Sequence, residues 1–390
     1  MRYAKVMLIG WVSITLLLIA ALIAIFSAAD STSTRALSAQ RAANYVWQLP
    51  PGFPVPNVPV DNPMSEAKVK LGRYLFYDPH LSSDSSYSCA SCHSPEVAFS
   101  DSRPVAIGVT GQKHPRNTQG LTNVAYYTTL TWANPALTSI EQQVLMPMFG
   151  ETPVEMGMAG HEEAILGYFQ RSNVYRQMFA DAFPDEPDAI NYQSVSMALA
   201  SFSRTLISGN SPYDRYTFQG DQTALSPSAL RGMKLFMSDA LACSQCHAGF
   251  NFTLDTSYQG APAVESPFFN IGLYNLDGKG AYPADNTGLA ATTHRAEDMG
   301  RFRVPSLRNV ALTAPYMHDG SLLTLKDVLG FYAAGGRTSP YQSELIKGFT
   351  LTDQDEQDLL NFLHSLTDDQ FVNDPRFSNP FTITASEESP

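Results

Sequence analysis

Leu71-Gly72-Arg73-Tyr74-Leu75-Phe76 runs on to Cys89-Ala90-Ser91-Cys92-His93. Far down the chain, Arg231-Gly232-Met233-Lys234-Leu235-Phe236 runs on to Cys243-Ser244-Gln245-Cys246-His247. Two related units therefore follow one another. In each, apolar residues at helical spacing precede the cysteines: Met64, Ala67, Leu71 and Leu75 in the first, Leu230, Met233 and Phe236 in the second. Ser226-Pro227 supplies a cap and a first-turn proline for the second. Further helices are expected at Glu162 to Phe169, Tyr192 to Ile207, Leu325 to Ala334 and Asp355 to Leu366. Strand signals are few.

Each Cys-x-x-Cys-His places two thiols to form thioethers with haem vinyl groups and the next imidazole to bind the iron from the proximal side. A redox dithiol, a structural disulfide and half a zinc site use similar spacings. All four cysteines of the chain fall in these two motifs, each followed directly by His, which favours two covalent c-type haems with His93 and His247 as proximal ligands. The expected fold is mostly α: two cytochrome c-like haem domains with long loops and few short strands. We place the N-terminal haem domain at 64–215 and the C-terminal one at 216–370, joined near Ser208 to Ser226, where Gly, Asn, Ser and Pro cluster. A tail follows at 371–390. The stretch from Phe250 to Gly300 reads as a long loop, a length that calls for something besides side chains, such as a porphyrin, to fill the interior.

The 390 residues exceed the usual single-domain size, and 44% hydrophobic with 16% charged residues marks an ordinary globular chain. The excess of 37 acidic over 25 basic residues argues against nucleic acid or an anionic membrane surface as partner. Arg2 and Lys5 precede an apolar run from Val6 to Phe26, and Ser27-Ala28-Ala29 offers a cleavage site, so residues 1–29 read as a signal peptide or an uncleaved N-terminal anchor. The expected location is periplasmic or cell-surface. Residues 30–63 read as a tether and an extended arm containing Leu49-Pro50-Pro51-Gly52-Phe53-Pro54.

Further segments carry a family resemblance. They are Leu71 to Pro79, the first haem motif running on to Ala98-Phe99-Ser100-Asp101, Arg116-Asn117, Gln143 with Pro147, Glu155-Met156-Gly157, Val304 to Val310 and Thr313 to Gly320. Over roughly 64–366 the chain resembles the bacterial di-haem cytochrome c peroxidase and MauG superfamily. The resemblance implies hydrogen peroxide as oxidant, a peroxide-reactive first haem, and Glu155 as the group that moves the peroxide proton, with Gln143 and Pro147 lining its pocket. The spacing from Pro147 to Glu155 is longer than the family pattern, which makes Glu151 the alternative. It also implies Trp132 as an electron relay between the haems, and a calcium ion held by the Asn117 side chain and the carbonyls of Thr313 and Pro315.

Two departures separate the branches. Reductively activated peroxidases carry a Gly-His pair whose His blocks the first haem; here it reads Gly108-Val109, which leaves that iron open. His114 in the same loop is a substitute ligand, or else a surface or propionate-side residue. The peroxidase branch places a Met fourteen residues after the His matched by His318, and here that position is Tyr332, as in the MauG branch. A core tyrosine is the plain alternative. An anionic phenolate stabilises oxidised iron where Met would raise the potential, which suits storage of oxidising equivalents as high-valent iron. Thr131 to Pro135, Phe149 to Glu155 and the Leu-Pro-Pro-Gly-Phe-Pro arm look like the MauG-like di-haem enzymes associated with methanobactin, which implies a secreted copper-binding protein as partner and conversion of its tryptophan to kynurenine. The other expectations are a cytochrome c peroxidase fed by a small cytochrome or cupredoxin, and a plain electron carrier, which an open iron with an acid-base Glu disfavours.

Overall fold

The computed structural model describes residues 45–262 and 266–382. The signal or anchor segment, the tether up to Asn44 and the tail beyond Thr382 lie outside the described residues. The helices are α1 (Glu66–Tyr77), α2 (Ile140–Gln143), α3 (Leu145–Phe149), α4 (Glu162–Arg171), α5 (Asn173–Ala182), α6 (Tyr192–Arg204), α7 (Pro212–Phe218), α8 (Pro227–Phe236), α9 (Ala290–Thr293), α10 (Leu325–Ala333), α11 (Asp353–His364) and α12 (Asp369–Val372). Among the described residues one small sheet pairs β1 (Phe268–Phe269) antiparallel with β2 (Phe302–Arg303). No described helix is long and apolar enough to cross a membrane. Tyr45, Val46 and 58–65 form a small unit by themselves, with a turn in which Asn62 N donates to Pro59 O (3.2 Å). Trp47–Asn57 and the chain from Glu66 onward form the other.

The internal echo is a repeated helix pair. α1 packs on α6 and α8 on α11. Gly72 and Gly232 sit at the two crossings for the same reason: a Cβ on Gly72 would overlap the Ala198 carbonyl oxygen and lie 2.9 Å from Phe202 Cβ, and one on Gly232 would overlap the Asp358 carbonyl oxygen and lie 2.9 Å from Phe362 Cβ. One turn later Phe76 meets Phe202 and Phe236 meets Phe362, each pair at 5.2 Å. Because the obstacle is backbone, no rotamer relieves it. Gly72→Ala or Gly232→Ala should therefore destabilise the protein by ~1–3 kcal/mol or more. Thermal unfolding checks this, and an unchanged Tm would show that the helices separate freely.

The echo extends further than the helices. Asn123 and Asn309 both adopt left-handed backbone (φ 58° and 59°) before a short 3-10 turn. Asn123 N donates to Leu206 O just after α6, and Asn309 N to Leu366 O just after α11. Each half thus closes the same way over its own apolar cluster. One is built around Leu71, Phe76, Phe99, Phe169, Phe179 and Phe202, the other around Phe236, Phe252, Leu329, Leu359 and Phe362.

Four stretches carry more structure than their composition suggests. The 208–226 stretch holds α7, which Ser211 caps with Asp214 in a capping box and Pro212 at its first position. The tail is docked as far as it is described: Phe371 and Phe377 enter the first cluster, and Tyr77 Oη donates to Phe377 O (2.5 Å). The 250–300 loop has its own packing, with Leu273, Tyr282, Phe302 and Ala133 clustered and Asn270 tying Met299 O, Gly272 N and Tyr282 Oη. The arm is also fixed: Phe53 is buried against Tyr126 and Phe250, and Tyr126 Oη donates to Pro54 O (2.8 Å).

Candidate functional site

Both cysteine motifs fold as 3-10 turns, Cys89–Ser91 and Cys243–Gln245. In each, the His amide reaches back to the first Cys carbonyl at 3.0 Å. His93 Nδ1 lies 2.9 Å from Phe99 O, and His247 Nδ1 lies 3.1 Å from Phe252 O. A carbonyl can only accept, so Nδ1 carries the proton and the Nε2 lone pair of each imidazole is kept for a metal. Left-handed backbone at Phe99 (φ 59°) and Phe252 (φ 49°) turns those carbonyls into position. Burial lowers both imidazoles, His247 to about 4, so each stays neutral with a lone pair free to bind a metal.

The rival uses of the cysteines fare badly. All four are free of disulfides. Burial pushes Cys89 up to about 12 and Cys92, Cys243 and Cys246 up to about 11, whereas a redox dithiol needs a depressed thiol pKa. Among the described residues no cluster of three or more His, Cys, Asp or Glu could hold a zinc ion.

Beside the second motif lies a cavity of about 360 Å³, lined by Cys243, Cys246 and His247 and also by Tyr332 from α10. Burial, with smaller contributions from Cys246 and Cys243, holds the Tyr332 phenol well above its ordinary range, so it stays protonated unless a positive charge arrives. A ferric iron would be such a charge. The walls are mostly apolar, from Leu325, Leu329, Leu359 and Leu363 among others, as a porphyrin face requires. Haem fits this donor set.

The same cavity gathers Trp132, Asn117, Thr313 and Pro315. Trp132 Nε1 donates to Asn117 O (2.8 Å), and the Asn117 amide nitrogen donates to Arg103 O and Pro104 O. Ser100 and Gln119 also line it, and Ser100 directly follows the Phe99 carbonyl that holds His93. The backbone segment that holds His93 thus adjoins this cavity.

On the first centre, Met156 N donates to Pro147 O and Met158 N to Met148 O, both 2.9 Å, which lays the Glu155 segment along α3. Glu155 is half-buried, burial raises its carboxyl pKa, and its charge in turn raises that of Cys92. Glu151 is exposed and forms a bridge with Val154. Gln143 Oε1 is buried with no protein donor. Val109 N donates to Glu155 O (2.7 Å), and Gly108 leaves no room for a Cβ beside Val154 O, so the Gly108-Val109 loop is fixed against the Glu155 segment. His114 is turned into its own loop, where its Nδ1 accepts from Arg116 N (3.0 Å).

Sequence reasoning passed over the carbonyls of Phe99 and Phe252, which have no side-chain signature. It also passed over His318 as a site residue, although Asn123-to-Trp132 and Asn309-to-His318 have the same offset. That shared spacing was the available signal.

A family model described as di-haem cytochrome c peroxidase matches residues 66–223. The chain is 36% identical over 335 residues to the cytochrome-c peroxidase IdrP1 of Pseudomonas sp. (strain SCT), covering 82% of this chain and 86% of that one. It is 34% identical over 342 residues to the methylamine utilization protein MauG of Methylorubrum extorquens, covering 87% and 88%. A crystal structure of a MauG-like protein associated with microbial copper homeostasis superposes with a TM-score of 0.84 at 44% identity, over 86% of this chain and 99% of that one. The diheme peroxidase BthA of Burkholderia thailandensis shares the fold, with a TM-score of 0.62 at 22% identity over 81% and 90%. Paired haem-binding motifs on a duplicated helical frame and similarity along most of the chain lead to one conclusion: the protein belongs to the di-haem cytochrome c peroxidase and MauG family, peroxide-dependent oxidoreductases with two c-type haems.

Proposed function

We propose that the protein is a MauG-like enzyme. Each hydrogen peroxide oxidises it by two electrons, and the enzyme then takes two electrons from a side chain of a protein partner, a tryptophan of a secreted copper-binding protein that two such rounds, with two oxygens added from water and one ring carbon released as formate, convert to kynurenine. The observation that carries this reading is Tyr332, in the cavity wall with His247 where the peroxidase branch has Met. The description of the 44%-identical structure, tied to copper homeostasis, supports the choice of partner. The setting is the periplasm or cell surface.

Bound haem supplies peroxide cleavage and the storage of two one-electron oxidising equivalents. His93 and His247 would offer Nε2 to the irons, and Val109, whose side chain has no donor atom, would add no ligand to the first. Glu155 accepts a proton from the near oxygen of peroxide and returns it to the leaving one, with Gln143 and Pro147 shaping the pocket. Tyr332 would offer its phenolate to the second iron, an anion of the kind that stabilises an oxidised metal. Trp132 would relay electrons between the two haems. Asn117, Thr313 and Pro315 supply oxygen ligands of the kind that a calcium ion takes. The two halves, 64–215 and 216–370, act as cytochrome c-like haem domains.

Tyr332→Phe tests the carrying observation. Both haems should stay attached, the low-spin signal in the electron paramagnetic resonance spectrum should change, and the potential of the second haem should rise. An unchanged low-spin signal would remove Tyr332 from the iron. The relatives named cytochrome-c peroxidase favour a second reading, peroxide reduction with electrons from a small cytochrome c or cupredoxin. Activity that requires prior reduction of one haem would establish it instead.

A further inference from the structure

His318 lines the same cavity as Trp132, at the repeat-equivalent position, and nothing above gives it a task. Its ring is 4% exposed and stacks on Phe302 at 3.7 Å and 15°. Its carbonyl accepts from Asn117 N at 2.8 Å. Nδ1 lies 3.0 Å from Asn286 Nδ2. The orientation of the Asn286 amide is settled by its other neighbours. Arg116 Nε, which can only donate, reaches Asn286 Oδ1 at 2.9 Å, and Asn286 Nδ2 also donates to Pro115 O at 3.1 Å.

An amide NH₂ can only donate, so Nδ1 of His318 accepts and the single ring proton sits on Nε2. That Nε2 is buried with no protein partner. A buried donor left without an acceptor is costly, so the occupant of the cavity must supply one. The propionate carboxylates of a c-type haem are anionic acceptors of this kind. We infer that Asn286 is a positioning residue that holds His318 in its Nε2–H tautomer, so that His318 donates a hydrogen bond to a carboxylate of the haem bound in this cavity. A charge-assisted bond of this type draws negative charge away from the iron and raises its potential. The inference does not depend on whether Tyr332 binds iron.

The test uses the holo-protein with both haems. Asn286→Asp keeps the size and the Arg116 contact but cannot donate, so the proton moves to Nδ1 and Nε2 becomes an acceptor. His318→Phe removes the donor without adding charge. Both variants should shift the propionate bending band of one haem in the resonance Raman spectrum and lower that haem's potential, leaving the bands of the other haem in place. His318→Gln, which returns an N–H near the position of Nε2, should restore the wild-type band. Unchanged bands and potentials in Asn286→Asp would overturn the proposal. If that variant fails to retain its haems, identical bands in His318→Phe and His318→Gln would overturn it equally, because a structural or water-binding role would not distinguish them.

Discussion

Replacing Glu155 by glutamine should slow the reaction with hydrogen peroxide by ~10²–10⁴-fold, the usual worth of a positioned acid-base group. The amide keeps the shape of the carboxyl and the backbone contacts to Val109 and Pro147 lie outside the side chain, so neither fold nor haem content should change. Glu151→Gln is the control, since that side chain is exposed, and should leave the rate near wild type. The pH dependence has a definite sign. Burial raises the Glu155 carboxyl, and the proton-accepting form is the carboxylate, so activity should fall on acidification at a higher pH than an ordinary glutamate would give. Stopped-flow mixing with peroxide measures both. A full rate in Glu155→Gln would move the role elsewhere.

The second large effect is on stability. Arg308 and Asp214 form a two-bonded ion pair, both contacts at 2.8 Å and both side chains fully buried. Arg308 also donates to Phe250 O and lies over the Phe53 ring at 4.7 Å, so one guanidinium ties α7, the second haem loop and the arm together. Asp214→Asn leaves that cation without its counter-charge and weakens the capping box of α7. Removing one partner of a buried pair typically costs ~3–5 kcal/mol. Glu297→Gln, which breaks the exposed pair with Arg295, should leave unfolding unchanged. Denaturant unfolding of the two variants distinguishes the cases, and equal midpoints would show that the buried pair holds nothing together.

Sequence alone went furthest where a side chain has one use. Helical spacing located α1, α4, α6, α8, α10 and α11 to within a few residues, because apolar stripes and caps such as Ser226-Pro227 are local signals. It failed where composition was read in place of caps. Ser211-Pro212 with Asp214 is a helix start, yet in a Gly-, Asn- and Ser-rich stretch it reads as a joint. α5 was missed because a single residue, Ser172, ends α4 and caps α5. The docking of Phe371 and Phe377 is a long-range contact that no local pattern encodes. At the site, Cys and His spacing marked the candidate haem-binding residues. The carbonyls that fix each imidazole, and the Arg116-Asn286-His318 chain, depend on backbone turns and on residues far apart in sequence.

A MauG-like enzyme should react with peroxide while fully oxidised and then pass the stored oxidising equivalents to a protein partner. The direct measurement mixes the oxidised holo-protein with stoichiometric hydrogen peroxide and no reductant, adds a secreted copper-binding protein that carries a tryptophan, and follows the intact mass of that partner. The expected result is spectral change before any reductant is present and oxygen incorporated at a partner tryptophan. An oxidised enzyme that ignores peroxide until one haem is reduced, and then turns over with a small cytochrome while the partner mass stays fixed, would contradict it.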